Sequence, residues 1–79
     1  MYCIAISAKG YKYMYKRESA IKCSSKKQAI VLCDFLNKHN DTATNNFKCK
    51  DNQIWHIHED IEPYYKIKNT KGKIIVTTI

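Results

Sequence analysis

His56-Ile57-His58 sets two imidazoles two residues apart, and on a β-strand that spacing puts both on one face. Imidazole nitrogen suits zinc and similar ions, but a bound metal needs three or four protein ligands. A turn at Asp51-Asn52 would bring Cys49 opposite Ile54 on that same face and Phe47 opposite His56, making Cys49 a third candidate ligand. Nothing fixes the remainder of a ligand set, so the expectation is ordinary strand histidines, with no metal and no cofactor. His58-Glu59-Asp60 and Glu62 could supply acid and base groups, but such catalysis needs positioned side chains in a pocket. A solvated acidic turn between hairpins accounts for them, and no catalytic residue is assigned; the chain is not expected to be an enzyme.

The four cysteines, Cys3, Cys23, Cys33 and Cys49, include no Cys-x-x-Cys pair. Cys3 falls inside a strand and Cys33 on the apolar side of a helix, where a thiol behaves as a small hydrophobe. Cys23, beside Lys22 and two residues before a helix cap, comes nearest to the setting that lowers a thiol pKa.

Aromatic and basic residues interleave at Tyr11, Lys12, Tyr13, Tyr15, Lys16 and Arg17, at Trp55 near Lys48, and at Tyr64-Tyr65 beside Lys66 and Lys68. Rings among lysines on an exposed sheet are how single-stranded nucleic acid is stacked and tracked. The residues expected to form such a surface are Lys12, Lys16, Arg17, Lys26, Lys27, Lys48 and Lys50, with Tyr11 or Trp55 as the stacking platform. A half-buried antiparallel sheet shows the same alternation for structural reasons alone, Tyr inward and Lys outward. No RNP, KH or helix-turn-helix motif is present.

Net charge is +7, carried entirely by residues 1–50; residues 51–79 are neutral. A positive half favours an anionic partner, either nucleic acid or an acidic protein surface. Lys, Ile, Asn and Tyr supply 36 of the 79 residues, and all have AT-rich codons, which inflates lysine without selection for binding. Arg17 is the one arginine, which disfavours bidentate base readout.

These groups must be positioned by few elements. Tyr2 to Ala8 and Tyr11 to Lys16 read as a hairpin about Lys9-Gly10. A two-residue loop would pair Ile6 with Tyr13 and Ile4 with Tyr15, on one apolar face. Ser19 to Cys23 reads as a short third strand. Ser25 caps a helix of residues 25–38, with Gln28 completing a capping-box pattern. Its stripe Ala29, Leu32, Cys33 and Leu36, widened by Phe35, has helical spacing, and Ile30 sits on the polar side. Residues 40–46 form a polar loop. Phe47 to Lys50 and Gln53 to His58 read as a second hairpin. Tyr64 to Lys68 and Lys73 to Ile79 read as a third, across Asn69-Thr70-Lys71-Gly72, its last strand having the β-branched content of a buried one. The expected fold is α+β: an antiparallel sheet built from hairpins, with one helix whose stripe meets Ile4, Ile6, Tyr13 and Tyr15.

At 79 residues this is a single domain, 1–79, with a modest core, for which a homodimer or a partner would add burial. Composition is too apolar for disorder, and no apolar run reaches membrane-spanning length. Met1-Tyr2-Cys3-Ile4 lacks the basic start of a signal peptide, so a reducing cytoplasm is expected.

The strand-then-helix run Ala20-Ile21-Lys22-Cys23-Ser24-Ser25-Lys26-Lys27-Gln28-Ala29, followed by Phe35-Leu36-Asn37, resembles a pattern of small orphan phage and mobile-element proteins from AT-rich Gram-positive bacteria. The likeness spans about residues 2–40 and includes length and composition. It implies a non-enzymatic accessory factor of the anti-CRISPR or anti-defence type, one that binds and inhibits a host macromolecule in the host cytoplasm. Many such inhibitors are acidic DNA mimics. This chain is basic, so the implied target is a host protein or ribonucleoprotein with an acidic surface, with nucleic acid as the alternative partner and no membrane.

Overall fold

Ser25 stops the backbone in an extended conformation (φ −157°, ψ 166°), and its Oγ accepts the Gln28 N–H at 3.1 Å. Gln28 Oε1 reaches back to the Ser24 N–H at 2.7 Å, one residue earlier than in the usual reciprocal box. With the Gln28 N–H capped from outside, helix α1 runs Lys26–Lys38. These relations come from a computed structural model that describes all residues except Lys71; the side chains of Lys12, Asn45, Asn69, Thr70, Lys73 and Ile74 are also outside the described set.

The strands are β1 (Tyr2–Ala8), β2 (Tyr11–Tyr15), β3 (Ile21–Cys23), β4 (Gln53–His58), β5 (Tyr65–Thr70) and β6 (Lys73–Thr78). Single 3-10 turns occupy Arg17–Ser19, Asn40–Thr42 and Asn45–Phe47. The predicted α+β fold is present: one helix packs on a six-stranded, mostly antiparallel sheet. β1 is central, with β4 along one side; β3 and then β2 share the other, and β5 and β6 follow β3.

On the helix side, Ala29, Leu32 and Cys33 meet Ile4, Ile6, Ile21, Cys23 and Trp55. Each fully buried isoleucine contributes about 2 kcal/mol to folding. Phe47 lies against the Trp55 and Tyr65 rings, with centroids at 6.1 and 5.1 Å. On the other face β1 presents Cys3, Ala5 and Ser7, all fully buried. Such small residues leave room for a close cover: Tyr15 packs on His58 at 5.3 Å, and the Cys3 thiol lies 3.7 Å from the Ile61 carbonyl.

Four expectations are corrected. The first hairpin turns at Lys9-Gly10, with Gly10 at φ 81°, but only Ala8 and Tyr11 keep the simple register. A bulge then brings Tyr15 opposite Ser7, so Tyr13 is 86% exposed and neither it nor Tyr15 lies under the helix. The bulge is held where Lys16 N–H donates to the Ile6 carbonyl (2.7 Å) and Ser19 Oγ accepts the Ile6 N–H (2.8 Å).

Phe47 to Lys50 is not a strand, and β4 pairs with β1 from Cys3↔His58 to Ala8↔Gln53. The Asn40 carboxamide takes the place of a strand neighbour for Cys49, accepting its N–H (2.6 Å) and donating to its carbonyl (2.9 Å). The sheet is also not purely antiparallel, since Ile21 and Lys22 of β3 run parallel to Tyr65 and Lys66 of β5. Finally, β6 is an edge strand, with Ile75 44% and Val76 37% exposed, because α1 lies over β1, β3 and β4. Of the predicted turn Asn69-Thr70-Lys71-Gly72, Asn69 and Thr70 instead extend β5, paired with Ile74 and Lys73; Lys71 lies outside the described residues, and Gly72 has φ 77°.

Candidate binding surface

Cross-strand partners point to the same face of a sheet. Cys3↔Lys22 and Lys22↔Lys66 therefore put Lys22, Lys66 and, two residues on, Lys68 on the side away from α1. Tyr64, 45% exposed, has the same parity. Lys22 and Lys66 are direct neighbours on adjacent strands, about 4.8 Å apart in backbone terms. All three lysines are exposed, and among the described residues none forms an ion pair. Over β3, β5 and β6 this face carries no helix.

The described members of the sequence-predicted binding set do not share that face. Tyr11 is 67% exposed beyond the first turn. Lys16 is half-buried and Arg17 exposed where the chain crosses from β2 to β3. The side chain of Lys12 is outside the described set. Lys48 and Lys50 are exposed before β4, and the positive charges of Lys16 and Lys9 act on the Cys49 thiol between them. Lys9, Lys16, Lys48 and Lys50 thus gather at the Ala8 end of β1. Lys26 and Lys27 are exposed in the first turn of α1, at the Tyr2 end, about 20 Å away by strand rise. Trp55 is 2% exposed in the core, which corrects its reading as a stacking platform.

Tyr64, Lys66 and Lys68 belong to an interleaved aromatic and basic run in the sequence but not to the residues expected to form the surface, and Lys22 is in neither group. The alternation Lys66-Ile67-Lys68 hints at one exposed face, but the neighbour that completes the group comes from a parallel pairing with no local signature.

His56 and His58 do share a face, as their spacing predicts. The sulfur beside His58 is that of Cys3, its cross-strand partner, and Cys49 is elsewhere. His58 Nε2 lies 2.9 Å from Ser7 Oγ, and its ring packs against Tyr15 at a tilt of 50°. Ser7 is wholly buried, so this pair satisfies two polar groups under the cover and gives a substrate no path to the hydroxyl. Among the described residues no three His, Cys, Asp or Glu side chains group as metal ligands.

Burial raises all four thiols above their ordinary pKa: Cys23 to about 11 and Cys33 to about 12, where a neighbouring cysteine adds to the rise, while nearby positive charges oppose it at Cys3 and Cys49. The setting proposed for Cys23 does not lower its pKa; the side chain faces the core. None of the four is an activated nucleophile.

The helix side carries an apolar groove of about 510 Å³ between the second half of α1, residues 42–47 and β6. Ile21, Leu32, Phe35, Leu36, Phe47 and Val76 line it. Phe35, expected to widen the buried stripe, is 57% exposed at its rim, its ring tilted against that of His39 with centroids 4.4 Å apart. Among the described residues no helix is long and apolar enough to cross a membrane. No protein family, curated protein or solved structure matches this chain.

Proposed function

We propose that this chain is a non-enzymatic binding protein whose helix-free sheet face engages single-stranded nucleic acid. One observation carries the reading: Lys22 and Lys66 stand side by side on adjacent strands with Lys68 next in line, and no acidic partner among the described residues. Like charges set directly across from each other weaken strand pairing, and a phosphate between them removes that cost. Tyr64 at the start of the row offers a ring for a base, and stacking of this kind contributes about 1–3 kcal/mol per base.

Titration of a fluorescent oligonucleotide at several salt concentrations tests this. Three phosphate contacts predict that log affinity falls against log salt with a slope of about −2. The triple substitution Lys22→Glu, Lys66→Glu, Lys68→Glu should abolish binding. Lys9→Glu, Lys48→Glu, Lys50→Glu at the other basic group should leave most of it. Binding that survives the first set and fails in the second would move the interface to the Ala8 end of β1.

A second reading rests on a different observation. Ile30, Val31 and Phe35 are 50%, 59% and 57% exposed on α1, more apolar surface than one helix needs to show. They suit contact with an apolar patch on a protein, in keeping with the role implied by the resemblance, inhibition of a host protein or ribonucleoprotein. Affinity capture from a host lysate with wild type and Phe35→Lys would support it through a protein retained by the first and lost by the second.

A further inference from the structure

We propose that the outer edge of β6 pairs antiparallel with the same edge of a second copy of this chain, continuing the sheet across a two-fold axis near Val76. The inference is independent of the nucleic-acid reading.

Among the described residues the sheet has three outer edges, and two are interrupted. Along β4, the Asn37 carboxamide of α1 accepts the Trp55 N–H at 2.9 Å and donates to the Trp55 carbonyl at 3.4 Å, occupying the place of a neighbouring strand. Along β2, the bulge between its two pairs with β1 breaks the regular row of donors and acceptors. These are the devices by which monomeric sheets discourage edge pairing. β6 has neither. It is in unbroken register with β5 from Thr70↔Lys73 to Tyr65↔Thr78, it contains no proline, and its sole charge is at its first residue.

The direction of its free groups follows from one hydrogen bond. Ile79 N–H donates to the Tyr64 carbonyl at 3.2 Å, so Ile79 faces β5. By alternation Thr77 and Ile75 also face β5, while Thr78, Val76 and Ile74 turn their N–H and C=O outward. Among the described residues no hydrogen bond reaches these outward groups. A two-fold at Val76 sets Val76 opposite Val76 of the second copy and Ile74 opposite its Thr78. Every outward group of the strand then has a partner, and no charge faces a like charge.

A second copy suits the edge better than its net charge of +7 suggests. The nearest described lysines of the two copies, on the two β5 strands, lie three strand spacings apart, about 14 Å. That exceeds the Debye length of about 8 Å at physiological salt. A six-residue seam is about 20 Å long and buries less than the roughly 800 Å² per partner of a standard interface. The expected dissociation constant is therefore weak, about 10 µM to 1 mM.

Sedimentation equilibrium and amide NMR of the full chain, diluted from about 1 mM, test the proposal. The expected result is a dimer that tightens from about 0.05 M to about 0.5 M salt as repulsion is screened. On dilution the Val76 and Thr78 amides should shift, and those of Ile75 and Thr77 much less. Val76→Pro removes an outward donor without touching a bond to β5, and should weaken association at least tenfold. Should that variant not fold, Val76→Lys makes the same test by placing charge at the seam. A monomer at about 1 mM, a dimer whose Val76 and Thr78 amides do not move, or open-ended polymers would each overturn the proposal. So would shifts at those amides that appear only when an acidic peptide is added, since the edge would then take a foreign strand.

Discussion

Cys33 touches the sheet from α1, and burial pushes its thiol up to about 12, with Cys23 and Asp34 adding to the rise. The native state therefore prefers the protonated form. Unfolding frees a thiol that ionises from its ordinary value of 9.0, so the unfolded state loses its proton first. Folding stability from this group is complete below pH 9.0 and declines as pH rises towards about 12. Thermal melts across that window should fall more gently for Cys33→Ala than for wild type, even though the variant starts lower because of the cavity it leaves. Equal slopes would mean that Cys33 is not the group responsible. Trp55 shows the opposite relation between residue type and exposure. A tryptophan among lysines suggests a stacking platform, but its place opposite Ile6 turns it under the helix.

At the level of elements, side-chain amides of α1 and of the turn after it finish what the strands leave open. Asn37 brackets Trp55 and Asn40 brackets Cys49, so the helix is tied to β4 by hydrogen bonds as well as by apolar packing. Asn37→Ala leaves the Trp55 N–H without that partner and should cost about 1–2 kcal/mol. Asn37→Asp keeps the acceptor for that N–H and should cost less. Urea denaturation of the three proteins checks the order. An Asn37→Ala midpoint equal to wild type would show that water replaces the bracket without loss.

For the molecule as a whole, basic groups at the Ala8 end of β1 and on the helix-free face give a chain that repels itself. Raising salt from about 0.05 M to about 0.5 M should lift the melting temperature, since screening relieves that repulsion. Lys66→Glu should lift it at low salt and reduce the salt response, because it turns the Lys22–Lys66 neighbours into an opposite pair. A melting temperature that is flat with salt in both proteins would mean that the lysines are too well solvated to interact. It would also remove the energetic basis for a phosphate between them.

The helix, its Ser25 cap, the stripe Ala29, Leu32 and Cys33, the turn at Lys9-Gly10 and the last hairpin were legible in the amino-acid sequence. Each depends on residues within a few positions of one another, where spacing and turn chemistry decide. The shared face of His56 and His58 is local in the same way. The pairing of β1 with β4, the parallel approach of β3 to β5, and the bulge that moves Tyr13 out of the core depend on segments as much as 55 residues apart, as at Cys3↔His58. A strand's own alternation fixes which residues share a face, but not which strand lies beside it or which face the helix covers. The candidate site follows that division. Lys66 and Lys68 on one face could be read from their spacing; their meeting with Lys22, and the removal of Trp55 from the surface, were decided by tertiary packing, because burying Ile4, Ile6 and Ile21 under α1 turns Lys22 to the opposite side of the sheet.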